Sequence, residues 1–205
     1  MTTAELISWI RKWLTDADTA ELPDSRIIEV ADDVIRDAVR EYDTWHSQDS
    51  YSTNVSSKNT EYFTKPTYLR APTAVYHVRG SAKTELAQVM GVSPTRFLES
   101  DIADESFMIW GQRVYFKNIT PANLDTMLVE GYFFPHSIER ETNAWMTDAH
   151  DYVKWGTLGQ ITIYDFEDER SPGFLLKAER LIKKIHAASQ TARLSASRPQ
   201  GMWGT

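Results

Sequence analysis

The 205-residue chain has no cysteine, which excludes disulfides, cysteine-held iron–sulfur clusters and thiol nucleophiles. Long apolar runs are also missing. Segments such as Tyr132-Phe133-Phe134 fall far short of the roughly 20 apolar residues that cross a bilayer as a helix. Basic charge is scarce: 22 Lys and Arg stand against 29 Asp and Glu, a formal net charge of −7. The broad basic footprint of a protein that grips nucleic acid is therefore lacking. The N-terminus carries Glu5 and no apolar signal-peptide core, so folding in the cytosol is the expectation.

The motif search removes further classes. His46, His77, His136, His150 and His186 are scattered, and none pairs with another at i, i+4. Asp148-x-His150-Asp151 is the one local cluster of ligand character, and at a helix start its acids answer the helix dipole better than a metal. Asp16-x-Asp18 lacks the rest of a calcium loop. Neither a Gly-x-Ser-x-Gly elbow nor a phosphate loop occurs. The runs Glu139-Arg140-Glu141 and Glu167-Asp168-Glu169 could supply a carboxylate pair, but acidic loops are common. No catalysis, cofactor or metal is expected.

What is present is core material. Apolar residues make up 41% of the chain, with seven Trp, nine Tyr and eight Phe. Leu6, Ile10, Trp13 and Leu14 share one helical face over Thr3 to Leu14. A second helix opens at Pro23-Asp24-Ser25, where Asp24 or Ser25 could cap it, and its stripe runs through Ile27, Val34 and Ala38 to Trp45. Residues 46–61 read as polar and irregular. Tyr62 to Arg70, Val75 to Arg79 and Leu86 to Met90 read as strands, and Ser93-Pro94 as the start of a short helix.

The clearest hairpin joins Phe107–Trp110 to Arg113–Phe116 through Gly111-Gln112, a pair suited to a type II′ turn. Asp125 to Phe134 follows as a strand apolar on both faces, which predicts cover on both. The helical period then returns, with Asp148 as cap of a helix reaching Phe166 that turns Tyr152, Trp155 and Phe166 inward. Gly156 and Gly159 within it mark close backbone approach. Ser171-Pro172 starts a long last helix that ends near Ser197.

The fold class expected is α+β: an antiparallel bundle of about four helices, with a β-rich insertion between the second and third and an extended C-terminal tail. Residues 1–49 and 143–197 would form a discontinuous helical domain, 50–142 the insertion and 198–205 the tail. Trp110, Tyr115, Tyr132, Phe133 and Phe134 exceed what a small insertion buries alone, so some are expected to meet the helices or a neighbouring molecule. Arg198, Pro199, Met202 and Trp203 give the tail the composition of a docking peptide.

This order of elements resembles the head-to-tail adaptor, or gatekeeper-ring, proteins of short-tailed bacteriophages. The resemblance lies in Leu6–Leu14, in Leu22-Pro23-Asp24-Ser25-Arg26-Ile27 with Tyr42-x-x-Trp45, and in Tyr68-Leu69-Arg70-Ala71-Pro72. It continues through the Met108–Phe116 hairpin, Leu128-Val129-Glu130-Gly131-Tyr132-Phe133 and the closing helical pair. It implies a virion protein, made in the host cytoplasm, that forms a ring of about twelve subunits below the portal protein. The insertion would meet the tail nozzle and possible tail fibres, and residues 198–205 the portal. Double-stranded DNA would pass through the ring without sequence-specific binding, and no membrane would be involved. A tail-associated peptidoglycan hydrolase and another head-completion or stopper ring protein are the alternatives.

Overall fold

The computed structural model describes residues 1–14, 21–55, 61–101, 105–119, 125–139, 143–166 and 169–196. The chain divides into two compact units, Met1–Ser47 with Phe134–Thr205, and Gln48–Phe133.

The first unit is helical. Helix α1 (Thr3–Trp13) starts at a capping box, in which the Thr2 hydroxyl accepts from the Glu5 amide and the Glu5 carboxylate accepts from the Thr2 amide. Helix α2 (Asp24–Glu41) has Pro23 as N-cap and no side-chain cap, so neither Asp24 nor Ser25 has the expected role. Asp24 instead accepts from Arg11 on α1. The helix stops at Glu41, short of Trp45, which is exposed in a single 3-10 turn.

The expected helix reaching Phe166 is present as one helix, but its N-cap is Ala149, without a side-chain hydrogen bond from Asp148, and a short helix precedes it. A short α4 (Ala144–Asp148) is capped by Asn143, whose side chain accepts from the Trp145 amide, and α5 (His150–Tyr164) follows after Ala149. The long α6 (Ser171–Ala196) closes the unit. Leu6, Ile10, Ile27, Ile35, Trp145, Leu158 and Ile161 form the fully buried centre of this core.

Helix α5 is buried on most sides, and its two glycines explain how. A Cβ at Gly156 would lie 2.6 Å from Val34 Cγ1 of α2, and one at Gly159 would lie 2.6 Å from Leu175 Cδ2 of α6. At Gly159 the Leu175 amide nitrogen also lies 3.2 Å from the Cβ position, the close backbone approach the sequence predicts, whereas at Gly156 the neighbour is the Val34 side chain alone. Two buried hydroxyls on α5 are satisfied, whereas that of Thr157 has no hydrogen-bond partner. Thr162 donates to the Leu158 carbonyl at 2.7 Å, and the Tyr152 hydroxyl donates to the Val34 carbonyl at 3.0 Å. Burial also pushes the Tyr152 pKa above its ordinary value, so its hydroxyl stays a donor.

The second unit contains two four-stranded sheets. One orders β1 (Gln48–Val55), β8 (Asp125–Phe133), β3 (Leu69–Arg79) and β4 (Ala82–Glu85), every neighbour antiparallel. The other orders β2 (Tyr62–Thr64), β7 (Arg113–Lys117), β6 (Ser106–Trp110) and β5 (Ala87–Gln88), with only β5 and β6 parallel. Their inward residues share one core, to which Val75, Met127 and Val129 come from the first sheet and Phe63, Phe107, Val114 and Phe116 from the second.

The β6–β7 turn is of type II′. Gly111 takes φ +58, and Gln112 is not among the positive-φ residues. Helix α3 (Pro94–Glu99), capped by Ser93 with Pro94 at its first position, is tied to β7 by Lys117, whose Nζ donates to the Phe97 and Ser100 carbonyls.

The expected fold, about four helices in a bundle with a β-rich insertion, is therefore corrected. The described residues form six α-helices interspersed with two four-stranded sheets, and α3 lies among the strands. Strand β1 falls where the sequence reads as irregular. It is an edge strand exposed along almost its whole length, so it needs no apolar alternation, and its order comes from pairing with β8. Strand β8 is also less covered than expected. Its inner residues are buried, but Thr126, Leu128 and Glu130 on the other face are only half-buried, with Lys83 of β4 reaching Glu130 at 2.8 Å.

Gly131 gives a direct check of this packing. A Cβ there would lie 2.4 Å from the Ala71 carbonyl oxygen, and backbone cannot swing away as a side chain can. Gly131→Ala is expected to lower stability in urea unfolding by about 1–3 kcal/mol, the range for overpacking. Gly173 lies in α6 with nothing within 4 Å of its Cβ position. Gly173→Ala should be neutral or stabilising by up to about 1 kcal/mol.

Candidate functional site

Alternation along β2, β6 and β7 decides which aromatics of the second unit reach the surface. Phe63, Val114, Phe116 and Phe107 point into the core, so Tyr62, Arg113, Tyr115 and Trp110 occupy the opposite face. Register then sets them side by side. Tyr62 pairs with Tyr115, Thr64 with Arg113, and Arg113 with Trp110. The two tyrosine rings lie 5.5 Å apart, and the Arg113 guanidinium sits 4.2 Å from the Tyr62 ring centre.

A hydrogen bond to Tyr115 and the neighbouring Tyr62 raise the Arg113 pKa above its ordinary value, so its charge is permanent. Trp110 is 55% exposed at the hairpin end. Tyr, Trp and Arg in one row on a flat sheet face match the side chains favoured in interface hot spots.

The other sequence candidates separate from this row. Tyr132 is buried, takes a 3.4 Å hydrogen bond from Gln48 and has Arg70 above its ring at 6.0 Å. Phe133 packs half-buried on the β core, and Phe134 packs on the helical core. Of the five aromatics, Trp110 and Tyr115 are thus together on one outer face, and the remaining three serve packing. Arg198, Pro199, Met202 and Trp203 lie outside the described residues, as do Asp16 with Asp18 and residues 140, 141, 167 and 168.

One buried ionic cluster also belongs to the second unit. Asp125, 3% exposed at its side chain, accepts from Arg79 at 2.7, 3.1 and 3.2 Å and lies 3.0 Å from His77 Nε2. Arg79 stands across from it on β3, and the contact with Asp125 raises the arginine's pKa. Both carboxylate oxygens are engaged, so the cluster works as a strap at the start of β8. Among the described residues, no group of three or more His, Asp or Glu is placed to hold a metal ion. No helix among them is long and apolar enough to cross a membrane.

The helical unit carries a second aromatic patch that the sequence reading assigns to the core. Trp9 and Trp13 follow each other at i, i+4 on α1 and meet Trp155 of α5 at 5.1 and 5.3 Å between ring centres. Phe174 of α6 closes the group at 5.9 Å from Trp13 and 5.7 Å from Trp155. Lys177 lies 3.5 Å above the Trp155 ring, and Lys154 lies 5.7 Å above Trp9. Trp13 is 41% exposed. Phe166, expected inward, is exposed as well.

Beside this patch, α2, α5 and α6 leave a groove of about 190 Å³. Val34, Ala38, Leu175 and Ile182 make its walls, and Asp37, Glu41 and Glu179 stand on its rim.

No family model matches the chain, and no curated protein matches it.

Two measurements check the electrostatics. Asp125→Ala removes the buried carboxylate that Arg79 and His77 share, and is expected to lower stability by about 1.5–3 kcal/mol, the scale of hydrogen bonds to charged groups. Urea unfolding beside Lys83→Ala, which removes an exposed pair with Glu130 and a cation–π contact with Tyr76, should show the smaller loss for Lys83→Ala. The second check concerns His46, which is buried, accepts from Trp45 Nε1 at 2.6 Å and has its pKa lowered from 6.5 by that burial, Asp148 opposing weakly.

A depressed folded pKa means that the unfolded chain binds the proton more readily. Stability should therefore be full above about pH 6.5 and fall as pH drops from there through the folded pKa. His46→Gln should flatten that part of the profile of unfolding midpoint against pH.

Proposed function

We propose that this chain is a structural virion protein, an adaptor ring subunit that joins a phage portal to its tail nozzle and lines part of the DNA channel. The observation that carries the reading is that each unit turns an aromatic and cationic patch outward. Tyr62, Tyr115, Arg113 and Trp110 do so on the sheet unit, and Trp9, Trp13, Trp155 and Lys177 on the helical one. A protein with two such surfaces is built to hold more than one neighbour.

The order of sequence elements supports the specific class. A ring repeats each modest contact around its circumference, so single contacts need not be strong. The net charge of −7 suits a channel through which a duplex slides, because like charge does not grip it. The role is structural rather than catalytic.

In this reading the sheet face meets tail components, and residues 198–205 meet the portal. Deleting residues 198–205 should abolish co-sedimentation with portal rings of the same phage while circular dichroism and the unfolding midpoint stay unchanged. Docking that survives the deletion would contradict the portal-binding role of the tail.

A further inference from the structure

We infer that the lysine-capped tryptophan patch of one copy docks into the acid-rimmed groove of the next, making a head-to-tail contact within the helical unit. The inference rests on the ring reading and names its subunit contact.

Four observations carry it. The groove is apolar inside and ringed by Asp37, Glu41 and Glu179. Asp37 and Glu179 form exposed same-helix pairs with Arg40 and Lys183. Exposed pairs of this kind contribute little and exchange readily for an incoming cation.

The patch has the opposite character. Trp13 stands 41% exposed, Lys12 is the exposed residue before it, and Lys177 rides 3.5 Å above Trp155. Aromatic surface with positive charge thus meets apolar surface with negative charge.

Size agrees with this pairing. A groove of about 190 Å³ falls below the roughly 300–1,000 Å³ of small-molecule pockets, and is scaled to one or two large side chains. Geometry decides the symmetry. Trp155 belongs to the patch, and its neighbour Gly156 lines the groove. Adjacent residues point about 100° apart around a helix, so the two surfaces are different patches facing different directions. A contact between unlike patches is heterologous, and it propagates from copy to copy until a ring closes.

The test uses the full chain. Light and heavy isotope-labelled copies are mixed at high concentration and joined with a zero-length carboxylate–amine cross-linker. Mixed-isotope links from Lys12 or Lys177 to Asp37, Glu41 or Glu179 are expected. A chain that gives no mixed links, or gives them only elsewhere, overturns the contact.

Charge reversal supplies the second arm, at two exposed positions that should leave circular dichroism unchanged. Glu41→Lys alone and Lys177→Glu alone should each weaken self-association at least tenfold, measured by sedimentation. An equal mixture of the two should restore it, because each variant keeps the surface that complements the other. Single variants that associate like the parent, or a mixture that does not recover, would refute the inference. Restored association without attachment to portal rings would leave this contact standing and remove the adaptor reading. Portal-bound rings indifferent to both variants would do the reverse.

Discussion

Helix α5 packs against neighbouring side chains that fill the space left at Gly156 and Gly159, and the helical unit is organised around that contact. Val34 of α2 and Leu175 of α6 occupy the space where side chains at Gly156 and Gly159 would stand. The close approach brings the Val34 carbonyl within reach of the Tyr152 hydroxyl, so a buried polar group is satisfied by the same packing. It also fixes what remains outside. With Gly156 against α2, Trp155 turns toward α1 and meets Trp9 and Trp13, and the groove lined by Val34, Gly156 and Leu175 opens beside it. Core and surface are consequences of one contact.

The sheet unit obeys a different rule, the period of two along a strand. Phe63, Val114 and Phe116 bury one face, so Tyr62, Arg113 and Tyr115 must present the other. Apolar burial and a candidate interface are thus alternate residues of the same strands. A slip of one residue would exchange them, and the tight turn at Gly111 opposes that slip locally.

Strong periodicity and local chemistry were legible in the sequence. The stripe from Leu6 to Leu14, the Gly111 hairpin, the Ser93-Pro94 start of α3 and the long last helix all follow from spacing or cap chemistry. What failed depended on partners far along the chain. Strand β1 is polar and ordered by pairing, α2 is capped without Asp24 or Ser25, and α5 starts at Ala149 without a cap from Asp148, after a short helix capped by Asn143.

The candidate surfaces show the same division. Trp110 was readable because it ends a hairpin. Tyr62 and Arg113 become significant only once register sets them beside Tyr115. Trp13 and Trp155 read as core because large rings at helical spacing usually are. Here three tryptophans and a phenylalanine from three helices crowd one edge, and part of each ring remains outside. The i, i+4 pair Trp9 and Trp13, with lysines nearby in sequence, was the available signal.

The central claim is that these surfaces exist to build a ring on a portal. Electron micrographs of the full chain mixed with portal rings encoded alongside it test that most directly. Class averages should show an added, rotationally symmetric layer on one end of each portal ring, enclosing an open channel. Portal rings without that layer, beside a chain that stays monomeric in the same mixture, would contradict the account.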